Sequence, residues 1–147
     1  MTTSLDERRE SIAGRVSGKI ALVTGGASGI GRATAILLAE QGARVAVADL
    51  SEADGQEVIR AIESKGGEAF FSRMDVTSEA SVQNTVAQII EKWRCLDVLV
   101  NNAGVAGIQK PIHEVTAKEY DSVMDVNVRG VFHCTKHSSY AGRWEHY

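Results

Sequence analysis

The sequence predicts an α/β fold: a doubly wound parallel sheet with flanking helices, expected to be incomplete at four strands. Three observations predict it. Short apolar stretches alternate four times with segments whose apolar residues recur at helical spacing. A glycine-rich run, Thr24-Gly25-Gly26-Ala27-Ser28-Gly29-Ile30-Gly31, joins the first apolar stretch to the first helical one. Small or polar residues close each apolar stretch: Thr24-Gly25, Asp49, Asp75-Val76 and Asn101-Asn102-Ala103-Gly104. A parallel sheet gathers such strand ends on one side.

Each element has its own warrant. Lys19-Ile20-Ala21-Leu22-Val23 reads as a short buried strand, and residues 30–41 follow as a helix whose inward face is expected at Ile30, Ala33, Leu37 and Leu38. Gly42 falls where that helix ends, and Arg44-Val45-Ala46-Val47-Ala48-Asp49 is the second strand. Ser51 is placed to cap a helix running to about Lys65, with Val58, Ile59 and Ile62 inward and Gly66-Gly67 ending it. Residues 68–74 form the third strand. Thr77 or Ser78 caps the next helix, where Val82, Val86, Ile89, Ile90 and Trp93 keep a helical period. Residues 96–100 are the fourth strand, apolar on both faces as a central parallel strand is. The single proline, Pro111, sits in a loop, and Thr116-Ala117-Lys118-Glu119 is a capping box opening a long helix toward Lys136.

The glycine run carries the first chemical signal. A tight strand-to-helix turn needs residues that take positive φ cheaply, and glycine is the one that does. Small residues let the backbone approach a pyrophosphate, and the N–H groups and dipole of the helix N-terminus hold its negative charge. Asp49 lies about 20 positions beyond the glycines, the second half of a dinucleotide fingerprint, because its carboxylate accepts hydrogen bonds from the adenosine ribose hydroxyls. This makes the sheet Rossmann-type. NAD is favoured over NADP: two charges about 4 Å apart interact by up to about 4 kcal/mol at an effective dielectric near 20, so Asp49 repels a 2′-phosphate. Neither Leu50 after it nor Ser28 before Gly29 supplies an offsetting cation. The alternative reading is an ordinary tight turn, with Asp49 ending a strand and Asp75 and the asparagines serving as turn formers.

Composition excludes other classes. Sixteen basic and 19 acidic residues give a net charge of −3 with neither sign clustered, so no nucleic-acid footprint is present. No apolar run approaches a membrane span, and residues 1–16 lack the apolar core of a signal peptide, so they are expected as a flexible extension. The two cysteines, Cys95 and Cys134, have no metal or redox spacing, which fits a reducing cytoplasm. His133 and His137 lie four apart on a helix with Cys134 between and His146 beyond, but without a third well-placed ligand they are expected as surface residues and no metal site is assigned.

The glycine spacing, Asp49, Asp75-Val76, Asn101-Asn102-Ala103-Gly104 and Asn127 together resemble the short-chain dehydrogenase/reductase family over residues 16–136. The resemblance implies NAD-dependent hydride transfer between nicotinamide and a small-molecule alcohol or ketone; whether a homo-oligomer forms stays open, because the family's dimers and tetramers rest largely on later helices and strands. It implies that Gly25, Ser28, Gly29, Ile30 and Gly31 contact the pyrophosphate, that Asp49 with Leu50 beside it meets the adenosine ribose, and that Asp75 and Val76 flank the adenine. Asn102, Ala103 and Gly104 would lie under the nicotinamide-side ribose, with the asparagines also tying the sheet together. Asn127 would be the family's catalytic asparagine, whose helix kink positions a water for a proton relay. From the residues themselves, Asn127 falls within an apolar stripe of Tyr120, Val123, Met124, Val128 and Val131, where a polar side chain must be hydrogen-bonded. A purely structural role meets that demand equally.

The family's chemistry also uses a serine after a fifth strand and a tyrosine with a lysine four residues on, the lysine and cofactor charge lowering a phenol pKa that is ordinarily near 10. Here Met124 stands four after Tyr120, Trp144 four after Tyr140, and Tyr147 is the last residue. The domain is therefore expected at residues 17–137, the N-terminal part of a truncated fold, with 138–147 an atypical tail. Strand order 3-2-1-4 is implied, leaving strand four as an apolar edge that invites a partner. Two functional classes follow: the cofactor-binding part of an oxidoreductase completed by a longer chain, or a catalytically inactive short form that holds NAD or pairs with partners.

Overall fold

The computed structural model describes residues 14–107 and 109–141. Most of the expected extension at 1–16 and of the tail at 138–147, including Trp144 and His146, lies outside them. The chain runs β1 (Ile20–Thr24), α1 (Gly29–Glu40), β2 (Arg44–Asp49), α2 (Glu52–Glu63), β3 (Ala69–Arg73), α3 (Glu79–Trp93) and β4 (Val98–Val100). A short 3-10 turn (Ile112–Glu114) precedes α4 (Ala117–Met124), which passes through a π-helical segment (Asp125–Arg129) into α5 (Gly130–Ser138). The four strands are parallel in the order β3-β2-β1-β4. That is the strand order the resemblance implies.

Strand alternation divides the interior into two layers. Leu22 and Ala46 face Val82, Val86, Ile89 and Trp93 of α3 and Cys134 of α5. Their neighbours Val23 and Val47 face Ala35 and Ala39 of α1 and Val58, Ile59 and Ile62 of α2. Both sides of the sheet are covered, which is why the strands read as continuous apolar runs. Ser78 caps α3 by accepting from the Ser81 amide at 3.3 Å, whereas the Ser51 hydroxyl does not cap α2 and instead donates to Asp54 at 2.7 Å.

Three expectations need correction. The inward face of α1 is Gly31, Ala35 and Ala39, while Ile30 is 79% and Leu37 57% exposed. Helix α1 approaches the sheet too closely for large side chains, so the small residues mark its packed side. Strand β4 is shorter than read, with Leu96 and Asp97 preceding it as irregular chain, and at the edge that the strand order implies its residues are half-buried, not covered on both faces. The stripe on the last helix faces outward: Tyr120 is 57% and Val128 53% exposed. The packed side is offset along the helix to Val126, Gly130, His133 and Cys134. Gly130 sets that side, because a Cβ there would stand 2.6 Å from Val76 Cγ2. The capping box forms as read, Thr116 Oγ1 accepting from the Glu119 amide at 3.2 Å and Glu119 Oε2 from the Thr116 amide at 2.8 Å.

Candidate functional site

The carboxyl ends of β1, β2, β3 and β4 open into one cleft of about 550 Å³. Gly25, Ser28, Gly29 and Ile30 line it from the glycine run, Asp49 and Leu50 from β2, Asp75 and Val76 from β3, and Asn102, Ala103 and Gly104 from β4. The structure thus brings together every residue expected to contact the cofactor except Gly31, while Thr24 and Asn101, also at strand ends, do not line the cleft. Gly31 lies behind the wall: a Cβ there would sit 2.1 Å from Gly25 O and 2.4 Å from Asn102 Nδ2.

The glycine run turns through Gly25 at φ +62° and Gly29 at φ +52°. Gly25 lets the β4 end close in, since a Cβ on it would meet Ala103 Cα at 2.9 Å. Gly29 faces the other way, and a Cβ on it would touch nothing within 4 Å. The run therefore presents backbone, with open space above it, at the N-terminus of α1. No side chain caps that terminus, for Ser28 makes no capping bond. Unsatisfied N–H groups and a positive helix end in such a place attract an anion.

The loops are tied to one another by three side chains. Asp49 Oδ2 accepts from the Ala27 amide at 3.0 Å, and Oδ1 accepts from Leu50 at 2.7 Å and Ser51 at 3.2 Å. A carboxylate offers about four lone pairs, so one acceptor position remains for a hydroxyl. Asn102 Nδ2 donates to Thr24 O and Gly25 O, both at 3.0 Å, pinning β4 to β1. Buried Thr24 completes the tie: its Oγ1 accepts from the Asn102 and Ala103 amides at 3.0 Å and donates to Val100 O at 3.3 Å. Asn101, exposed, makes no sheet tie and donates to Thr135 at 3.3 Å. Asp75 forms a local turn, Oδ1 accepting from the Thr77 amide at 2.9 Å and the Thr77 hydroxyl at 2.7 Å.

Asn127 does not line the cleft but braces its floor. Its Oδ1 accepts from the Val105 amide at 2.8 Å and its Nδ2 donates to Val105 O at 2.9 Å. It sits inside the π-helical segment, marked by the Gly130 amide donating to Asp125 O five residues back. Segments of this kind are commonly found at functional sites. The demand that this asparagine be hydrogen-bonded is met by the loop that follows β4.

Met74, Val105 and Val126 also line the cleft and were not singled out in the sequence. Met74 and Val105 each adjoin a residue that was, which is the signal that adjacency offers; Val126 becomes visible only with the π segment. Thr24 was read as part of the glycine run, and its role as the hub of the β1–β4 tie has no sequence signal beyond a hydroxyl ending an apolar strand.

His133 and His137 are not free surface residues. His133 is buried, with Nδ1 2.9 Å from Val76 O, and His137 is partly buried, with Nε2 2.7 Å from Glu79 Oε1. The helix turns them onto α3 and the end of β3, the side the offset face packs against. Cys134 is fully buried, and burial pushes its thiol up to about 11. Among the described residues no three metal-ligating side chains cluster, and His146 lies outside them. Ser138 is buried and Tyr140 is 88% exposed, so Ser138-Ser139-Tyr140 does not converge on the cleft.

Comparison with known proteins gives the same family. The chain is 42% identical over 125 residues to 3beta-hydroxysteroid dehydrogenase of Mediterraneibacter gnavus, covering 85% of this chain and 45% of that protein. It is 40% identical over 130 residues to secoisolariciresinol dehydrogenase of Forsythia intermedia, covering 88% and 46%. It superposes on NAD+-bound xylitol dehydrogenase with a TM-score of 0.83 at 35% identity, covering 86% of this chain and 49% of that one. A short-chain type dehydrogenase/reductase from Mycobacterium marinum gives 0.82 at 35% identity, covering 86% and 51%. The chain spans about half the length of these relatives. The sequence model of the short chain dehydrogenases matches residues 19–141, nearly all of the described fold, and the chain belongs to that family.

Proposed function

We propose that the chain binds a nicotinamide dinucleotide across the cleft, NAD in preference to NADP, as the cofactor-binding part of an NAD-dependent alcohol/ketone oxidoreductase. One observation carries the reading: an uncapped helix N-terminus fronted by open glycine backbone shares a cleft wall with a carboxylate that has an acceptor position to spare. The residues present fit the group. Gly25, Ser28, Gly29 and Ile30 take the pyrophosphate side, with Gly31 permitting the close packing behind them. Asp49 accepts from the adenosine ribose, beside Leu50, and disfavours a 2′-phosphate. Asp75 and Val76 border the adenine, and Asn102, Ala103 and Gly104 the nicotinamide-side ribose.

When bound, the cofactor supplies the hydride acceptor or donor. The chain's own residues hold and orient it, and Asn127, through Val105, fixes the floor beneath the nicotinamide half and is the candidate for the proton relay. In the family's chemistry proton transfer to substrate uses a serine and a tyrosine–lysine pair, so on this reading the chain's own part is to hold the cofactor.

Titration of the 147-residue chain with NADH and NADPH, followed by cofactor fluorescence, tests this. Saturable binding that favours NADH is expected; folded protein that binds neither overturns it.

A second reading, an inactive NAD-binding or partner-binding short form, draws on β4. Its outer edge has no strand partner among the described residues, and an apolar groove of about 260 Å³ lined by Leu96, Val98, Leu99 and Ser138 runs beside it. Exposed edges of this kind seek partners. A stable 147-residue product in cells that binds NADH without turnover favours this reading; finding the sequence only within a longer, active product favours the first.

A further inference from the structure

We infer that His133, on the far side of the sheet end from the ligand, is a positioning residue that sets the adenosine-side wall of the cleft. The inference rests on the dinucleotide reading above and adds a residue that none of the fingerprint positions includes.

The observation is how α5 grips the connection between β3 and α3. Gly130 admits the Val76 side chain, with 2.6 Å between Val76 Cγ2 and the place a Cβ would take. One turn on, His133 is 7% exposed and its Nδ1 stands 2.9 Å from Val76 O. A carbonyl only accepts, so Nδ1 carries the proton and the tautomer is fixed. A further turn on, Lys136 Nζ at 2.8 Å and His137 Nε2 at 2.7 Å both meet Glu79 Oε1 in the first turn of α3. Val76 is thus held by its side chain and its carbonyl from behind, while its front lines the cleft beside Asp75.

The contact at Val76 O is the one that bears on the ligand. Val76 is buried, so a carbonyl deprived of His133 must turn toward water or stay unsatisfied. Turning it rotates the Val76–Thr77 peptide, breaks the Thr77 amide's bond to Asp75 Oδ1 and carries Val76 out of the wall, while Asp75 stays tied through its own amide to Ser81 Oγ. The grip at Glu79 is more than half a turn of helix away and does not restrain that peptide. Apparent affinity then falls to the fraction of molecules that keep the wall in place. The worth of one neutral hydrogen bond caps the loss at about fivefold to tenfold, reached where that bond is what keeps the wall in place.

The test compares wild type, His133→Leu and His133→Asn, whose amide can donate to the same carbonyl. Each is titrated with NADH, adenosine monophosphate and reduced nicotinamide mononucleotide, at a temperature where all are folded. His133→Leu is expected to weaken NADH and adenosine monophosphate by about fivefold to tenfold and to leave the nicotinamide half unchanged, with His133→Asn restoring the adenosine half. A helix-docking role alone leaves both halves unchanged, and that result overturns the inference, as does equal loss for both. Should His133→Leu not fold, wild type with 15N-labelled histidine serves instead. The His133 Nδ1 signal is expected to move with adenosine monophosphate and not with the nicotinamide half; no movement overturns the inference. Wild type that binds no NADH overturns the dinucleotide reading itself, a distinct result.

Discussion

Replacing Gly31 by alanine tests whether the cleft is built by close backbone approach. The φ of Gly31 is helical, so alanine suffers no backbone strain there; the cost is steric. The new Cβ would lie 2.1 Å from Gly25 O, 2.9 Å from Gly25 C and 2.4 Å from Asn102 Nδ2. Two of those atoms are backbone and cannot swing aside, so α1 must move off the loop by about 1 Å, an overpacking cost of about 1–3 kcal/mol. The Asn102 amide bonds to Thr24 O and Gly25 O are strained with it, at about 1 kcal/mol each. Alanine returns about 1 kcal/mol of helix propensity. The net is a loss of about 2–4 kcal/mol, which lowers the melting temperature by about 5–15 °C at this chain length. NADH affinity falls by about tenfold or more, since the helix end and the glycine backbone no longer share one geometry. Thermal unfolding by circular dichroism and NADH titration read the two effects. Gly66→Ala is the control: at φ +82° with nothing within 4 Å, it costs about 1–2 kcal/mol of stability and leaves NADH affinity unchanged. A Gly31→Ala chain that melts and binds like wild type refutes the reasoning.

Asp49→Asn removes the charge and keeps one acceptor oxygen, so the preference for NADH over NADPH is expected to narrow by about tenfold, the repulsion in water being well below its unscreened ceiling; an unchanged ratio of dissociation constants counts against Asp49 as the selector. Glu119 is held down to about 2 from 4.5, first by the Lys110 hydrogen bond and then by the Thr116 amide. A depressed carboxylate stabilises the fold above its unfolded pKa and loses that contribution as pH falls from 4.5 toward 2. Glu119→Gln should therefore flatten part of the acid limb of stability measured by urea titration, and superimposable limbs contradict the assignment. Cys134, fully buried and with its thiol pushed up to about 11, should resist iodoacetamide at pH 8 in the native protein and react once urea unfolds it. Rapid native labelling at Cys134, located by mass spectrometry, rules this out.

The strand ends were legible because the physics that selects them is local. Glycines that must take positive φ and a carboxylate closing an apolar strand are visible one residue at a time, and parallel topology delivers them to the same side. Inward faces were legible where side-chain size and burial agree, as for Val58, Ile59 and Ile62 of α2. They were not where packing is tight. On α1 the sheet selects Gly31, Ala35 and Ala39, so hydrophobicity pointed to Ile30 and Leu37 on the wrong side. On the last helix the π segment and Gly130 set the packed face, and neither alters the apolar period. His133 escaped for a related reason: a buried histidine satisfied by a distant carbonyl, 57 residues away, carries no local mark.

The cleft is rigid because the residues that face it also build it. Asp49 crosses from β2 to the glycine run through Ala27, and Asn102 and Thr24 cross from β4 to β1. These bonds span 22 to 79 residues of chain, so they exist only once the sheet is assembled. Their geometry then leaves little for a ligand to order, and binding spends little free energy on loop entropy. The same economy couples affinity to stability: Asp49 or Asn102 cannot be altered without loosening a loop as well as losing a contact. Gly66→Ala separates the two effects by changing stability far from the cleft, whereas Asp49→Asn changes charge and, with one acceptor oxygen left for three amide donors, also gives up part of the loop tie. His133 completes the logic at the end of β3, where the Met74 amide is bonded to Asp49 O of β2, Asp75 to Ser81 of α3, and Val76 to His133 of α5.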